Sequence, residues 1–217
     1  MPGTVESSEQ RCAEIRRTID FVRTVRTVTR VRRPRIQTAD ALYHVFTRGN
    51  RREEIVRDDI DRRRFLAILR HVVLRRNWIC HFYVVMTNHY HLLIRTPAAD
   101  IAAGMQVLNY LAARTFNKRH GYTGHLFERR YGSKLVQSEE QLLTCYRYIA
   151  LNPVRAGLCA DPADWSWSSY RATIGLAPVP DFLHVDRVLA NFSDDRERAQ
   201  QLLREFVLAG LDQQLAA

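Results

Sequence analysis

The chain reads as an α+β protein, an antiparallel sheet with helices packed on one face. Two patterns predict this. Apolar runs of strand and helix character alternate in the order strand, helix, hairpin, helix, strand, helix, and the two central strands are separated only by Thr87-Asn88, a spacing that suits a hairpin. The length agrees: 217 residues at 46% hydrophobic are enough for one well-buried core with appendages.

Ala41 to Arg48 (ALYHVFTR) is aromatic and β-branched and stops at Gly49-Asn50, which marks the first strand. From Asp58 to Arg76, Phe65, Leu69 and Val72 recur at helical spacing, leaving Arg62, Arg63, Arg70 and Arg75 for the other face. Trp78 to Met86 and His89 to Thr96 are the hairpin strands. Pro97 ends the second of them, and Ile101, Met105, Leu108, Ala112 and Phe116 then predict a helix to about Arg119. After a basic, glycine-containing loop, Tyr131 to Gln137 can form a fourth strand. Ser138 with Gln141 three residues on makes a capping box for a helix running to Asn152, where Pro153 stops it. A turn-rich piece, Asp161 to Tyr170, and a last amphipathic helix from about Asp194 to Leu211 complete the chain. Residues 1–31 stand apart as a basic arm, rich in arginine and without an apolar stripe. It is either a basic helix that touches DNA phosphates or an upstream extension without function.

Lys and Arg exceed Asp and Glu by 33 to 23, a net charge of +10 that points towards a polyanion, most commonly nucleic acid. The four cysteines, Cys12, Cys80, Cys145 and Cys159, form no CxxC pair, which argues against a zinc knuckle or a disulfide framework and fits a reducing compartment. No apolar run reaches the roughly 18 residues needed to span a bilayer, and the first thirty residues hold no signal-peptide segment, so no membrane is expected and the cytoplasm is the default location.

Chemistry concentrates in two places. In His89-Tyr90-His91, strand alternation projects both imidazoles from one face, where they could chelate one divalent ion. An HxH is also simply two polar strand positions, but this one lies between apolar runs, where imidazoles need partners. In the third helix the apolar stripe runs through Leu142, Leu143, Tyr146 and Ile149. Tyr148 lies two residues beyond Tyr146, about 200° around the helix, so it leaves the packed stripe, and Asn152 shares its face. The bland reading is an exposed tyrosine and a helix-terminal asparagine. A tyrosine beside a metal is instead a candidate nucleophile towards phosphorus, and with the basic charge it predicts phosphodiester cleavage.

The segments YHVFTRGNRRE, VVMTNHYHLLI and YRYIALNPVRAG, in that order, resemble the HUH single-tyrosine transposases, and among them the REP-associated tyrosine transposases. The resemblance covers roughly residues 32–170. It implies a ferredoxin-like fold, Mg²⁺ or Mn²⁺ as cofactor, hairpins in single-stranded DNA as substrate, and strand cleavage and rejoining through a 5′-phosphotyrosine. By position, His89 and His91 become the metal-binding pair, Tyr148 the nucleophile, and Asn152 the polar residue that can complete the metal's coordination. The residues alone would equally have allowed zinc. The implied layout is an arm at 1–31, a catalytic domain at 32–175 and a C-terminal helical extension at 176–217. In related enzymes the tyrosine comes from the same chain or from a partner, so a homodimer is among the expected partners, and the sequence does not separate the two cases.

Arg48, Arg51, Arg52, Arg129, Arg130 and Lys134 flank the expected site and are candidate phosphate contacts, against the alternative of a solvated basic surface. Trp165, Trp167 and Tyr170 read as pinning the chain to the core rather than stacking on bases. His44 reads as a buried, satisfied histidine, and Cys145 as packing. Two other functions fit in part: a domesticated hairpin-DNA-binding protein or regulator without turnover, and a zinc hydrolase, which leaves the basic charge unexplained.

Overall fold

Four strands, β1 (Ala41–Arg48), β2 (Ile79–Val85), β3 (His89–Thr96) and β4 (Gly132–Val136), form one sheet in the order β2-β3-β1-β4, with every neighbouring pair antiparallel. The structure, a computed structural model, describes residues 37–215, so the basic arm expected over residues 1–31 lies outside the described residues. Helix α1 (Asp59–Arg75) connects β1 to β2, and α2 (Ile101–His120) connects β3 to β4. This is the split βαβ arrangement, in which each crossover spans an intervening antiparallel strand.

Local chemistry sets the helix ends. The Asp58 carboxylate accepts from the amides of Ile60 and Asp61 at the start of α1, while α2 ends at Gly121 in the left-handed region (φ 68°). Phe65, Leu69, Val72 and Val73 of α1 and Ile101, Met105, Leu108, Ala112 and Phe116 of α2 are all buried, as their spacing predicts. The two helices pack on one face of the sheet, where Tyr90 meets Phe65 at 4.8 Å between ring centres and gives its hydroxyl proton to Asn109 at 2.5 Å. A buried ring of this size contributes about 1.5–3 kcal/mol.

One-sided packing holds for these crossover helices but not for the next one. Helix α3 (Glu139–Ala150) crosses the opposite face, setting Tyr146 against Phe82 at 4.4 Å and Tyr148 against His91 at 5.6 Å. The reason is alternation: Phe82 and Leu93 give that face an apolar patch beside its histidines, and the Leu142, Tyr146, Ile149 stripe covers it. The helix stops at Ala150 rather than Asn152. A separate turn, α4 (Asn152–Arg155), follows with Pro153 in its first turn, where the missing amide proton costs nothing.

Two short helices, α5 (Tyr170–Thr173) and α6 (Asp186–Leu189), precede the long α7 (Arg196–Leu215). Ala199, Leu203 and Val207 of α7 are buried in the same core as the sheet, and Arg147 of α3 lies over the Phe206 ring at 4.5 Å. Trp165 donates its indole proton to the Val85 carbonyl, and the Val85 and Ser169 amides donate to the Trp167 and Tyr83 carbonyls, so this segment covers the outer edge of β2. The tryptophans pin the chain, as expected. Among the described residues, no helix is long and apolar enough to cross a membrane.

Candidate active site

Antiparallel register places two histidines and their neighbours on the α3 face. Along β3, Tyr90 points into the α1/α2 layer and is fully buried, which sends His89 and His91 to the other side. Arg48 lies opposite His89 and Phe46 opposite His91, while across β1 Lys134 lies opposite His44. Gly132 is required beside Phe46, since a Cβ there would overlap the phenyl ring.

The capped start of α3 fixes the rest. Ser138 Oγ accepts from the Gln141 amide at 3.1 Å, and Gln141 Oε1 accepts from the Gln137 amide at 2.9 Å, one residue earlier than in the usual reciprocal box. Between two and three turns on, Tyr146 is fully buried and Tyr148 is 43% exposed, which separates the two faces as the helical wheel requires. Tyr148 stands edge-on to His91 at 5.6 Å and to His44 at 6.0 Å, and the Arg155 guanidinium lies over its ring at 5.3 Å. Asn152 donates from Nδ2 to the Tyr148 carbonyl at 3.1 Å, which turns its Oδ1 towards His89 Nε2 at 3.2 Å. These groups line a cleft of about 990 Å³ between β1, β3, β4 and α3.

The imidazoles are held neutral. Burial, with the neighbouring His44, His89 and Arg48 adding to it, pushes His91 down to about 2. Burial and Lys134 push His44 down to about 4. His89 is also lowered, chiefly by burial, although the Asn152 oxygen alone would favour its charged form. Asn88 Nδ2 donates to the Arg52 carbonyl at 3.0 Å, leaving its Oδ1 2.7 Å from His89 Nδ1. A neutral ring has one N–H to give, and the shorter contact takes it. His89 Nε2 and Asn152 Oδ1 then face each other with a lone pair each.

Two lone pairs at that distance repel unless a cation lies between or beside them, so this donor set fits a divalent ion. Among the described residues, no three His, Cys, Asp or Glu side chains converge as a metal site. An ion here would rest on imidazole nitrogen and amide oxygen, with water or substrate oxygens for the remainder; that mixed set suits Mn²⁺ better than Mg²⁺, which prefers oxygen throughout. Cys145 also lines the cleft, but burial pushes its thiol up to about 12, so it supplies no thiolate.

The expected residues divide into two groups. His89, His91, Tyr148 and Asn152 line the cleft together, and Arg48, Arg129 and Lys134 stand on its walls. Arg52 lies on a shallow neighbouring pocket with Asn88, while Arg51 and Arg130 are exposed outside both. Arg129 is paired with Glu128 at 2.7 Å. Sequence reasoning passed over two residues, Arg155 and Asn88, and did not connect His44, expected as a buried and satisfied histidine, with His91, which it meets at 2.9 Å. Arg155 was within reach, three residues beyond Asn152 on the same turn. The others depend on strand register and loop placement.

Residues 37–152, just over half of the chain, match the family model described as Transposase IS200 like. The chain belongs to the IS200-like transposase family. The family match takes in His89, His91, Tyr148 and Asn152 and ends before Arg155. Among solved structures, the chain resembles a REP-associated tyrosine transposase bound to a REP hairpin, with a TM-score of 0.58 at 18% identity over 68% of this chain and 88% of that one. This likeness bears out the α+β fold. A candidate transposase from Deinococcus radiodurans R1 is similar at 21% identity, covering 55% of this chain and 95% of its own, with a TM-score of 0.40. No curated protein matches the chain.

Proposed function

We propose that this transposase-family protein cleaves single-stranded DNA at hairpins or palindromes and transfers the strand through Tyr148, with Mg²⁺ or Mn²⁺ as cofactor. The observation that carries this reading is the convergence of a half-exposed phenol with two neutral imidazoles and an amide oxygen in one cleft. His89, His91 and Asn152 would hold the ion, which when bound supplies Lewis-acid polarisation of the scissile phosphate.

The Tyr148 oxygen attacks phosphorus and forms the P–Oη bond as the bond to the 3′-oxygen breaks. The departing strand ends in a 3′-hydroxyl, and the phenolic proton leaves to solvent or to that oxygen. The phosphodiester bond is conserved as a 5′-phosphotyrosine, so attack by another 3′-hydroxyl reverses the step and joins a new strand. Arg155 lies where it can stabilise charge on the phenol oxygen. Arg48, Arg129 and Lys134 would guide phosphates into the cleft, with Arg51, Arg52 and Arg130 contacting DNA further out. The solved relative bound to a REP hairpin supports hairpin DNA as the substrate class.

The test is a denaturing gel of protein incubated with 5′- and 3′-labelled hairpin DNA from the flanks of its own gene, in Mg²⁺ or Mn²⁺, beside Tyr148→Phe. A metal-dependent protein-linked band that retains the DNA 3′ of the cut, absent from the variant, is expected. Persistent attachment in Tyr148→Phe would move the nucleophile elsewhere. Tight hairpin binding without any linked band would favour a binding protein or regulator without turnover.

A further inference from the structure

Of the three histidines that line the cleft, His89 and His91 have the same ring nitrogen engaged from behind. His89 Nδ1 meets Asn88 Oδ1 at 2.7 Å, and His91 Nδ1 meets His44 Nε2 at 2.9 Å. In neither ring is Nδ1 left to face the cleft, and the Nε2 of His89 is the atom that meets Asn152. We propose that Asn88 and His44 are positioning residues, each accepting the Nδ1 proton of one histidine so that both rings are held in the tautomer that presents a bare Nε2 to a divalent cation.

This rests on the metal reading of the cleft given above and adds to it the residues that make the reading possible. An imidazole with its proton on Nε2 cannot ligate through that atom, so the tautomer decides whether the site exists. Outer partners of this kind fix ring orientation as well as tautomer.

Asn88 is itself oriented by the arginine-bearing turn. Arg51 and Arg52 both have positive φ, 53° and 63°, a conformation that disfavours side chains other than glycine. The turn is held there by the Gly49 amide donating to the Asn88 carbonyl at 2.8 Å and the Arg52 amide donating to the Gly49 carbonyl at 3.0 Å. Its result is an Arg52 carbonyl within 3.0 Å of Asn88 Nδ2. That bond admits only one amide orientation, with the oxygen towards His89. Gly49 leaves no room for a Cβ, which would overlap the Glu53 carbonyl. On the other strand, His44 is buried, and it must act as acceptor at Nε2 for His91 to keep its own Nε2 bare.

The experiment uses the full chain labelled with ¹⁵N-histidine. Ring-nitrogen shifts report each tautomer without added metal, and electron paramagnetic resonance of free Mn²⁺ reports affinity. The proposal expects His89 and His91 both protonated on Nδ1 in the unaltered protein. Asn88→Ala is expected to release His89 from that tautomer and weaken Mn²⁺ binding about 10- to 100-fold, whereas Asn88→Asp, which keeps an acceptor at Nδ1, restores the tautomer and most of the affinity. His44→Phe is expected to act likewise on His91, and His44→Gln to restore it. A His91 protonated on Nε2 in the unaltered protein, or alanine and phenylalanine variants that keep both tautomer and affinity, would overturn the assignment, as would failure of both acceptor-retaining variants to rescue. If the unaltered protein binds no Mn²⁺, the metal reading fails, while the ring shifts still decide what Asn88 and His44 do.

Discussion

The guanidinium of Arg155 lies 5.3 Å from the centre of the Tyr148 ring, at the end of the short turn α4 that begins with Asn152. A cation over a phenol stabilises negative charge as it grows on the oxygen, and such contacts contribute up to about 2 kcal/mol when partly shielded from water. Arg155→Ala is therefore expected to slow single-turnover DNA cleavage about 10- to 30-fold. Arg155→Lys should recover part of the rate, since it keeps the charge but loses the planar group. Mn²⁺ affinity in both variants should stay unchanged, because a guanidinium or an ammonium has no lone pair to offer a metal ion. A cleavage rate unaltered in Arg155→Ala, measured at saturating DNA, would remove the residue from the reaction. At this scale the sequence was informative where one element carries the relation. Tyr148 and Asn152 share a helical face by arithmetic, and His89 and His91 share a strand face. It was silent on His44 with His91, which sit 47 positions apart and meet only through the register of β1 against β3.

Helix α3 is the element on which the site depends, since it carries Tyr148 on one face and core residues on the other. Its beginning was readable from Ser138 and Gln141, because a cap is a local hydrogen-bond pattern within four residues. Its placement across the second face of the sheet was not readable, because the apolar patch that receives it combines Phe82 of β2 with Leu93 of β3, a pairing that exists only once the hairpin has formed. The packing of α7 behind α3 has the same origin: Gly210 lies so close to Arg147 and Leu151 that a Cβ would crowd both side chains. Removing the cap with Ser138→Ala should destabilise the protein by about 1 kcal/mol, lowering the melting temperature by roughly 2–4 °C in calorimetry. Because Tyr148 lies almost three turns beyond the cap, cleavage at 25 °C should be preserved; a melting temperature equal to that of the unaltered protein would show that α3 is held by packing alone.

For the whole molecule, the +10 charge and the buried histidines act in different ranges of solution conditions. In the proposed function the charge would govern attraction to DNA, which salt screens. The histidines govern stability towards acid, and His81 shows the effect away from the cleft. It is buried on β2, its Nδ1 meets the His184 carbonyl at 3.1 Å, and its Nε2 has no partner among the described residues. Burial pushes it down to about 4; the His184 carbonyl opposes this, and the charges of Arg187, His184 and Arg95 reinforce it. Above its ordinary value near 6.5 the ring is neutral in both folded and unfolded chains, and its contribution is intact. As the pH falls from about 6.5 towards 4, the unfolded chain takes up a proton that the fold excludes, so stability is lost on the acid side. The loss for this one group approaches about 3 kcal/mol, with a slope of at most about 1.4 kcal/mol per pH unit. His81→Phe, which keeps a ring of similar size and removes the titration, should flatten the dependence of unfolding free energy on pH by about one proton between pH 4 and 6.5 in urea melts. An identical slope in variant and unaltered protein would mean that His81 takes up its proton within the folded state.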